Sequence, residues 1–211
     1  MSKEVLGKIQ KPSIEDYKKS GRRKLYLVPF FLPGADKELF RVYQNKLLKY
    51  WKQVESRINL LEEKLGKIKK VYHEMVDKDG EEGAKIIQQI SEASWKIVKE
   101  LLDKGAKLQG IEDPQLVQEH LDWVRCLSSN LQTNRVSAII SSFFSESLRK
   151  RDEYISKKID QDLKKEEIAV LFIRENNFLN LPSDIEVFRI YPPALEELRS
   201  FLQKLQGTTP F

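Results

Sequence analysis

The side chains best suited to chemistry in this sequence are carboxylates and amides that follow strand-like segments. They are Glu74, Glu112, Asp113, Asn176 and Asn177. Carboxylates that are brought together hold a divalent cation through their oxygen atoms, or raise one another's pKa for acid and base catalysis. Arg174 and Glu175 directly precede the two amides. In a parallel sheet the ends of the strands share one edge, so the sequence predicts a binding or catalytic site there.

A second pair of charged residues lies in the middle of a long amphipathic helix. The apolar stripe of this helix consists of Phe144, Leu148, Ile155 and Ile159. Arg151 and Asp152 occupy the gap in that stripe, so one of them interrupts the buried face. An unpaired buried charge is costly, and this residue therefore needs a partner or a ligand. An internal salt bridge, or an Arg151 side chain that extends to solvent, is the structural alternative.

Each of the three carboxylates also has a structural interpretation. Asp113 precedes Pro114, which suits the first turn of a helix, and is a candidate N-cap. In the same interpretation Glu112 pairs with a neighbouring lysine and Glu74 faces water. His73 and Glu74 are adjacent in a predicted strand and point to opposite sides, so only one of them faces a given site. We favour Glu74.

The other histidine and the single cysteine are assigned to structure. His120 lies on the apolar face of a predicted helix, where a lone histidine is more often a hydrogen-bonded core residue than a ligand. Cys126 has no cysteine partner, which excludes an internal disulfide and a cysteine-built zinc site. The sequence contains no Gly-rich phosphate loop, GxSxG nucleophile elbow or HExxH zinc motif.

Five strands and five helices are predicted to position these residues. The strands cover 24–32, 67–74, 106–113, 168–174 and 184–190. The helices cover 36–64, a segment between Gly83 and Gly105, a segment from Pro114, 136–163 and 193–205. This alternation predicts an α/β fold, helix-rich, with a mainly parallel sheet of about five strands and long amphipathic helices. Because helix occupies more than half of the chain, a helical bundle with a few strands is the alternative.

The length of 211 residues fits one domain with a sizeable core. Residues 1–21 are polar and lysine-rich and are predicted to form an N-terminal arm, and residues 22–207 are predicted to form a single α/β domain. The polar segment 1–19 predicts that the chain has no signal peptide, and no apolar run has the length of a membrane helix. We expect a soluble, cytoplasmic protein without membrane insertion. The apolar faces of its long helices are compatible with a homodimer.

The charge pattern argues against nucleic acid as the main partner. The net charge is +5, but 37 basic residues are interspersed with 32 acidic residues, which is typical of a solvated surface. The segment Lys18–Lys24 is one of only two short basic runs, and neither has the Gly and aromatic pattern of an RNA-binding sheet. An RNA-associated module is the least favoured class.

Three segments carry a resemblance to a known group of proteins. VYHE, the later RDEYISKKIDQDL helix and the IAVLFI strand resemble the TraB/ChaN/erythromycin-esterase superfamily. The resemblance implies that Glu74 is the acid at the end of the second strand and that Arg151 and Asp152 face a pocket. It also implies the metal-dependent hydrolysis of some members. The two histidine-bearing elements of the group are replaced here by VPFFLPG and RENN, so a binding domain, or a site using Asn176 and Asn177, is the other implication.

These observations give two expected functions. The first is binding of a small molecule or a protein partner at the carboxyl edge of the sheet. The second is hydrolysis at a carboxylate-rich site, with a divalent metal as the cofactor. Both depend on one geometric condition, which is that Glu74, Glu112 and Arg151 meet in space.

Overall fold

The fold is taken from a computed structural model, which describes residues 15, 17, 21–32 and 39–207. Nearly all of the predicted N-terminal arm therefore lies outside the described residues. The predicted beginning of the first helix at residue 36 lies outside them as well.

The described residues form one five-stranded sheet. Its strands are β1 (Arg23–Pro29), β2 (Lys70–His73), β3 (Lys107–Gln109), β4 (Ile168–Ile173) and β5 (Ile185–Arg189). All pairings are parallel, and the order across the sheet is β3-β2-β4-β1-β5. The prediction of a parallel sheet of about five strands is confirmed. All five carboxyl ends consequently lie at the same edge.

Six helices are present in the described part of the chain. They are α1 (Leu39–Leu65), α2 (Gly80–Ile90), α3 (Glu92–Asp103), α4 (Pro114–Ser128), α5 (Asn134–Asp162) and α6 (Pro193–Gly207). The helix-rich α/β prediction is confirmed, and the helical-bundle alternative is wrong. None of these helices combines the length and the apolar composition needed to cross a membrane.

One predicted helix is in fact two. The segment between Gly83 and Gly105 is interrupted at Ser91, which has extended backbone angles (φ −158°, ψ 106°). The Ser91 hydroxyl accepts a hydrogen bond from the backbone N–H of Ser94 and so caps α3. Serine competes for backbone hydrogen bonds in this way, which is why it favours a helix start over a helix interior.

The sheet is covered on both faces, but unequally. Side chains such as Tyr26 and Val28 of β1 pack in a large core with α1, α2, α3 and α6. The alternate residues Leu25 and Leu27 pack on the other face in a smaller core. The carboxyl-terminal half of α5 covers this core with side chains such as Ile155. Burial of such a side chain contributes about 2 kcal/mol. Burial of both faces explains the continuous apolar runs of the central strands.

The amino-terminal half of α5 extends beyond the sheet and packs against α4. These two helices form a hairpin, hereafter the α4–α5 hairpin, whose base lies at the carboxyl edge. Asp113 accepts hydrogen bonds from the N–H groups of Gln115 and Leu116, so it is the N-cap of α4, with Pro114 in the first turn. The cap interpretation of Asp113 is confirmed.

Candidate ligand-binding site at the carboxyl edge

Glu74 lies one residue beyond β2 and is almost fully buried. Its N–H donates to the carbonyl oxygen of Phe172 in β4 (2.8 Å), which extends the ladder and fixes the backbone. Its Oε1 accepts from Nη2 of Arg151 (3.2 Å) and from Nη1 of Arg174 (2.6 Å). Its Oε2 accepts from the backbone N–H of Arg174 (2.6 Å). Both oxygens therefore have partners from other elements.

Glu112 reaches the same place from the end of β3. The carbonyl oxygen of Val76 accepts from the N–H groups of both Ile111 (2.9 Å) and Glu112 (3.1 Å). Gly110 makes this path possible, because a Cβ atom there would lie 2.5 Å from the backbone carbon of Asp77. The glycine that weakens β3 as a strand thus directs Glu112 towards α5.

Arg151 is the partner of Glu112. Its Nε donates to Oε2 of Glu112 (3.2 Å), and its Nη2 donates to Oε1. Burial raises the pKa of Glu112 above the ordinary value of a glutamate. Burial also acts against the charge of Arg151, but the hydrogen bonds and charges of Glu112 and Glu74 raise the pKa of the guanidinium. Arg151 therefore stays charged although it is only 1% exposed.

Asp152 is buried beside Arg151, so both residues of the gap in the apolar stripe lie inside the protein. Its Oδ1 accepts from Nη2 of Arg174 (2.5 Å), and its Oδ2 accepts from the backbone N–H of Phe178 (2.8 Å). Burial raises the pKa of Asp152, while these contacts act in the opposite direction. Asp152 thus fixes the loop that follows β4.

Five charged side chains therefore meet at the carboxyl edge, and we call them the ion cluster. They are Glu74, Glu112, Arg151, Asp152 and Arg174. The structure brings together four of the predicted site residues, with Arg174 as the fifth member. Only the position of Arg174 directly after a buried strand indicated its place, because sequence does not reveal its two acidic partners.

The other predicted site residues lie outside the ion cluster. Asp113 is occupied as the helix cap. Nδ2 of Asn177 donates to the carbonyl oxygens of Arg174 (2.8 Å) and Glu175 (3.3 Å), which makes it a loop-stabilising residue. Asn176 is exposed and lines the groove described below.

His73 points to the opposite face of the sheet from Glu74. It is fully buried, its Nδ1 lies 2.7 Å from the carbonyl oxygen of Glu74, and its Nε2 lies 3.2 Å from Oγ of Ser94. Because a carbonyl only accepts, Nδ1 carries the proton. Burial lowers the pKa of His73 to about 4, so the ring is neutral at neutral pH. The preference for Glu74 over His73 at this edge agrees with the structure.

A groove of about 850 Å³ opens beside the ion cluster. It lies between the base of the α4–α5 hairpin, the end of β1, the loop after β4, and α6. Its lining residues include the apolar side chains of Phe30, Phe31, Phe144, Leu148, Tyr191 and Leu202. Its basic and acidic lining residues are Arg174, Arg199, Glu175 and His120. The groove thus combines apolar walls with a few polar groups, as small-molecule sites do.

The two arginines of the groove are held in place. Arg174 is anchored through both terminal nitrogens, whereas its buried Nε has no hydrogen-bond partner in the described part of the chain. Nε of Arg199 donates to Glu175 (2.5 Å), and its guanidinium lies 5.2 Å from the centre of the Tyr191 ring. Both guanidinium groups are therefore oriented before a ligand arrives.

The residues at this edge do not fit a divalent metal. Among the described residues, no three His, Cys, Asp or Glu side chains are grouped so that they could hold an ion. The carboxylates of Glu74, Glu112 and Asp152 instead accept hydrogen bonds from guanidinium groups, which occupy the oxygen atoms that a cation would need. Metal-assisted hydrolysis stays a prediction.

Fold and site together define a helix-rich α/β domain with a groove at the carboxyl edge of a parallel sheet. No protein-family model matches the chain, and comparisons with curated proteins and with solved structures give no match. The resemblance to the TraB/ChaN/erythromycin-esterase superfamily stays a prediction.

Proposed function

We propose that this protein binds a small organic acid in the groove, with the acidic group at Arg174 and an apolar body between the aromatic walls. The observation that carries the proposal is the anchored Arg174 guanidinium in the lining of this groove. Each terminal nitrogen of a guanidinium carries two N–H groups, so Nη1 and Nη2 of Arg174 each keep one donor for a ligand oxygen beyond their bonds to Glu74 and Asp152.

The position and the size of the groove support this function. Ligands of open parallel sheets bind outside the carboxyl ends of the strands, which is where the groove lies. Its volume of about 850 Å³ is in the range of small-molecule sites. The rings of Phe31 and Phe144 give it apolar surface that a fully polar ligand would not use.

The side chains that line the groove carry one more positive than negative charge. Two guanidinium groups, of Arg174 and Arg199, face it together with one carboxylate, that of Glu175. Arg174 is 19% exposed, so its inner partners hold it while part of the side chain remains accessible. A ligand carboxylate there needs no reorganisation of the arginine, which lowers the cost of binding.

Ligand-observed NMR with a set of small aryl and alkyl carboxylates tests the proposal. We expect millimolar or tighter binding of aryl carboxylates and at least threefold weaker binding to R199Q, which loses one groove charge without disturbing the ion cluster. The matched control is R57Q, since Arg57 is exposed on α1 and does not line the groove. Absence of binding, or equal weakening in both variants, would reject the function.

A partner-binding function has one observation in its favour, which is an apolar stripe on the α4–α5 hairpin. Val136, Ile139 and Phe143 of α5 are each more than 40% exposed and recur at helical spacing. Trp123 of α4 stacks on Phe143 with the ring centres 4.9 Å apart and widens the stripe. Exposed apolar stripes of this kind mark interaction surfaces.

The occupant that best fits this stripe is a second copy of the hairpin in antiparallel orientation. Arg125 and Arg135 lie towards the tip, whereas Glu119 and Glu146 lie nearer the base. Antiparallel pairing therefore brings Arg135 of one copy towards Glu119 of the other, while Arg125 and Glu146 pair within their own helices with Asp122 and Lys150. Light scattering should give a dimer that I139E dissociates and that S141E, at an exposed position on the opposite side of the same helix, leaves intact. A monomeric native protein would reject this second function.

A further inference from the structure

The histidine of the groove has an unused ring nitrogen. Nδ1 of His120 lies 3.0 Å from Oγ of Ser147, and the Phe144 ring lies 5.0 Å from the imidazole. Within the described part of the chain no hydrogen bond reaches Nε2 of His120. By contrast, both ring nitrogens of His73, the other histidine, have protein partners.

The contacts of Ser147 determine which nitrogen of His120 carries the proton. Oγ of Ser147 lies 2.7 Å from the carbonyl oxygen of Phe144, which only accepts, so the single hydroxyl proton is donated there. The same oxygen must then accept from His120, and Nδ1 is the protonated nitrogen. In a neutral ring Nε2 is therefore an unprotonated acceptor.

The surroundings keep this ring neutral. Burial, with the positive charges of Arg151 and Arg174, lowers the pKa of His120 to about 4, while the charge of Glu74 acts in the opposite direction. His120 is 9% exposed and lines the groove that also contains Arg174. The groove thus offers Arg174 as a hydrogen-bond donor for an anion and His120 as a neutral hydrogen-bond acceptor.

We propose that Nε2 of His120 is a neutral hydrogen-bond acceptor for the ligand in the groove, so the bound acid also carries an O–H or N–H group on its apolar body. The inference rests on the proposed function and narrows it to hydroxy- or amino-substituted organic acids. His120 acts here as a binding and specificity-determining residue. Ser147 is a positioning residue, because it acts only by fixing the tautomer.

The first test determines the tautomer. Long-range ¹H–¹⁵N spectra of the protein labelled at histidine contain only two rings, and H120F assigns them. We expect Nδ1 to be protonated in His120 and S147A to shift the ring towards a tautomer mixture. S145A is the matched control, because Ser145 makes a similar bond to its own helix (2.9 Å) but is exposed. A proton on Nε2 in the native protein would overturn this inference but leave the proposed function intact.

The second test measures specificity with 3-phenylpropanoate and its 3- and 4-hydroxyphenyl analogues. We expect one hydroxylated probe to bind about fivefold tighter than the parent in the native protein, and this gain to vanish in H120F. Phenylalanine keeps the shape of the ring, and Ser147 keeps its bond to Phe144. Equal binding of all three probes would overturn the inference but leave the proposed function intact. Binding of none would overturn both.

Discussion

Arg151 of α5 and Glu112 at the end of β3 are joined by two hydrogen bonds across 39 residues of sequence, although both side chains are almost completely buried. This pair ties the base of the α4–α5 hairpin to the carboxyl edge of the sheet. Because Arg151 also contacts Glu74, the same guanidinium joins the ends of β2 and β3. The walls of the groove are consequently held by charges rather than by apolar packing alone.

Loss of Arg151 should be strongly destabilising. R151M leaves the carboxylate of Glu112 buried without a side-chain partner, and we expect it to lower the free energy of unfolding by about 3–5 kcal/mol. Urea denaturation measures this change. R149M is the control, since Arg149 is 59% exposed and, among the described residues, pairs with Glu153 alone. It should cost less than about 1 kcal/mol. Replacement of Glu112 by Gln in the R151M background should restore part of the loss, and a cost below 1 kcal/mol for R151M would refute the account.

Acidification should destabilise the protein through its histidines. The pKa of His120 is lowered to about 4 from an ordinary value of 6.5. Between these two pH values the imidazole is protonated in the unfolded chain but neutral in the folded chain. The contribution of neutral His120 to the free energy of unfolding is therefore fully present above pH 6.5 and is lost as the pH falls towards 4. The expected loss is about 3 kcal/mol for His120.

The contribution of His120 is isolated by comparison of the native protein with H120F. Glu112 and Asp152 have raised pKa values and act with the opposite sign, since they favour the folded state as the pH falls. They are present in both proteins and cancel in the difference. Urea denaturation at pH 7 and pH 4.5 should show a smaller loss for H120F by roughly 2 kcal/mol. Identical pH profiles would contradict a buried neutral His120.

Removal of Asp152 should loosen the loop after β4. Asp152 accepts from the N–H of Phe178, and Ser156, one turn further along α5, accepts from the N–H of Asn180 (3.0 Å). In D152A we expect the Phe178 amide to exchange with solvent about tenfold faster, because its hydrogen bond is lost. Hydrogen-exchange NMR measures this rate. D160A is the control, as Asp160 binds Arg23 at the opposite edge of the sheet, and equal acceleration in both variants would be evidence against the assigned role.

Strand alternation and parallel topology made part of the site predictable. Glu74 and Glu112 follow strands, and parallel strands bring their ends to one edge whatever the details of packing. Arg151 was recognisable because a charge in an apolar stripe requires a partner. Local rules also predicted the cap at Asp113, since Asp followed by Pro begins a helix.

The rest of the site depends on tertiary contacts that leave no local pattern. Arg174 resembles any basic residue after a strand until its partners Glu74 and Asp152 are known. His120 was predicted to be a core residue and not a ligand-binding one. It is buried and hydrogen-bonded, but it also lines the groove, a position that results from the packing of the α4–α5 hairpin. The division into α2 and α3 at Ser91 was missed because the apolar spacing continues across the break.

The location of a bound acid tests the central claim most directly. Crystals soaked with the tightest-binding aryl carboxylate of the NMR set should show its carboxylate within about 3 Å of the Arg174 guanidinium, the ordinary distance of a charged hydrogen bond. Its ring should lie between Phe31 and Phe144, and the ion cluster should keep its contacts. A carboxylate bound elsewhere, with the groove holding only water, would contradict the account.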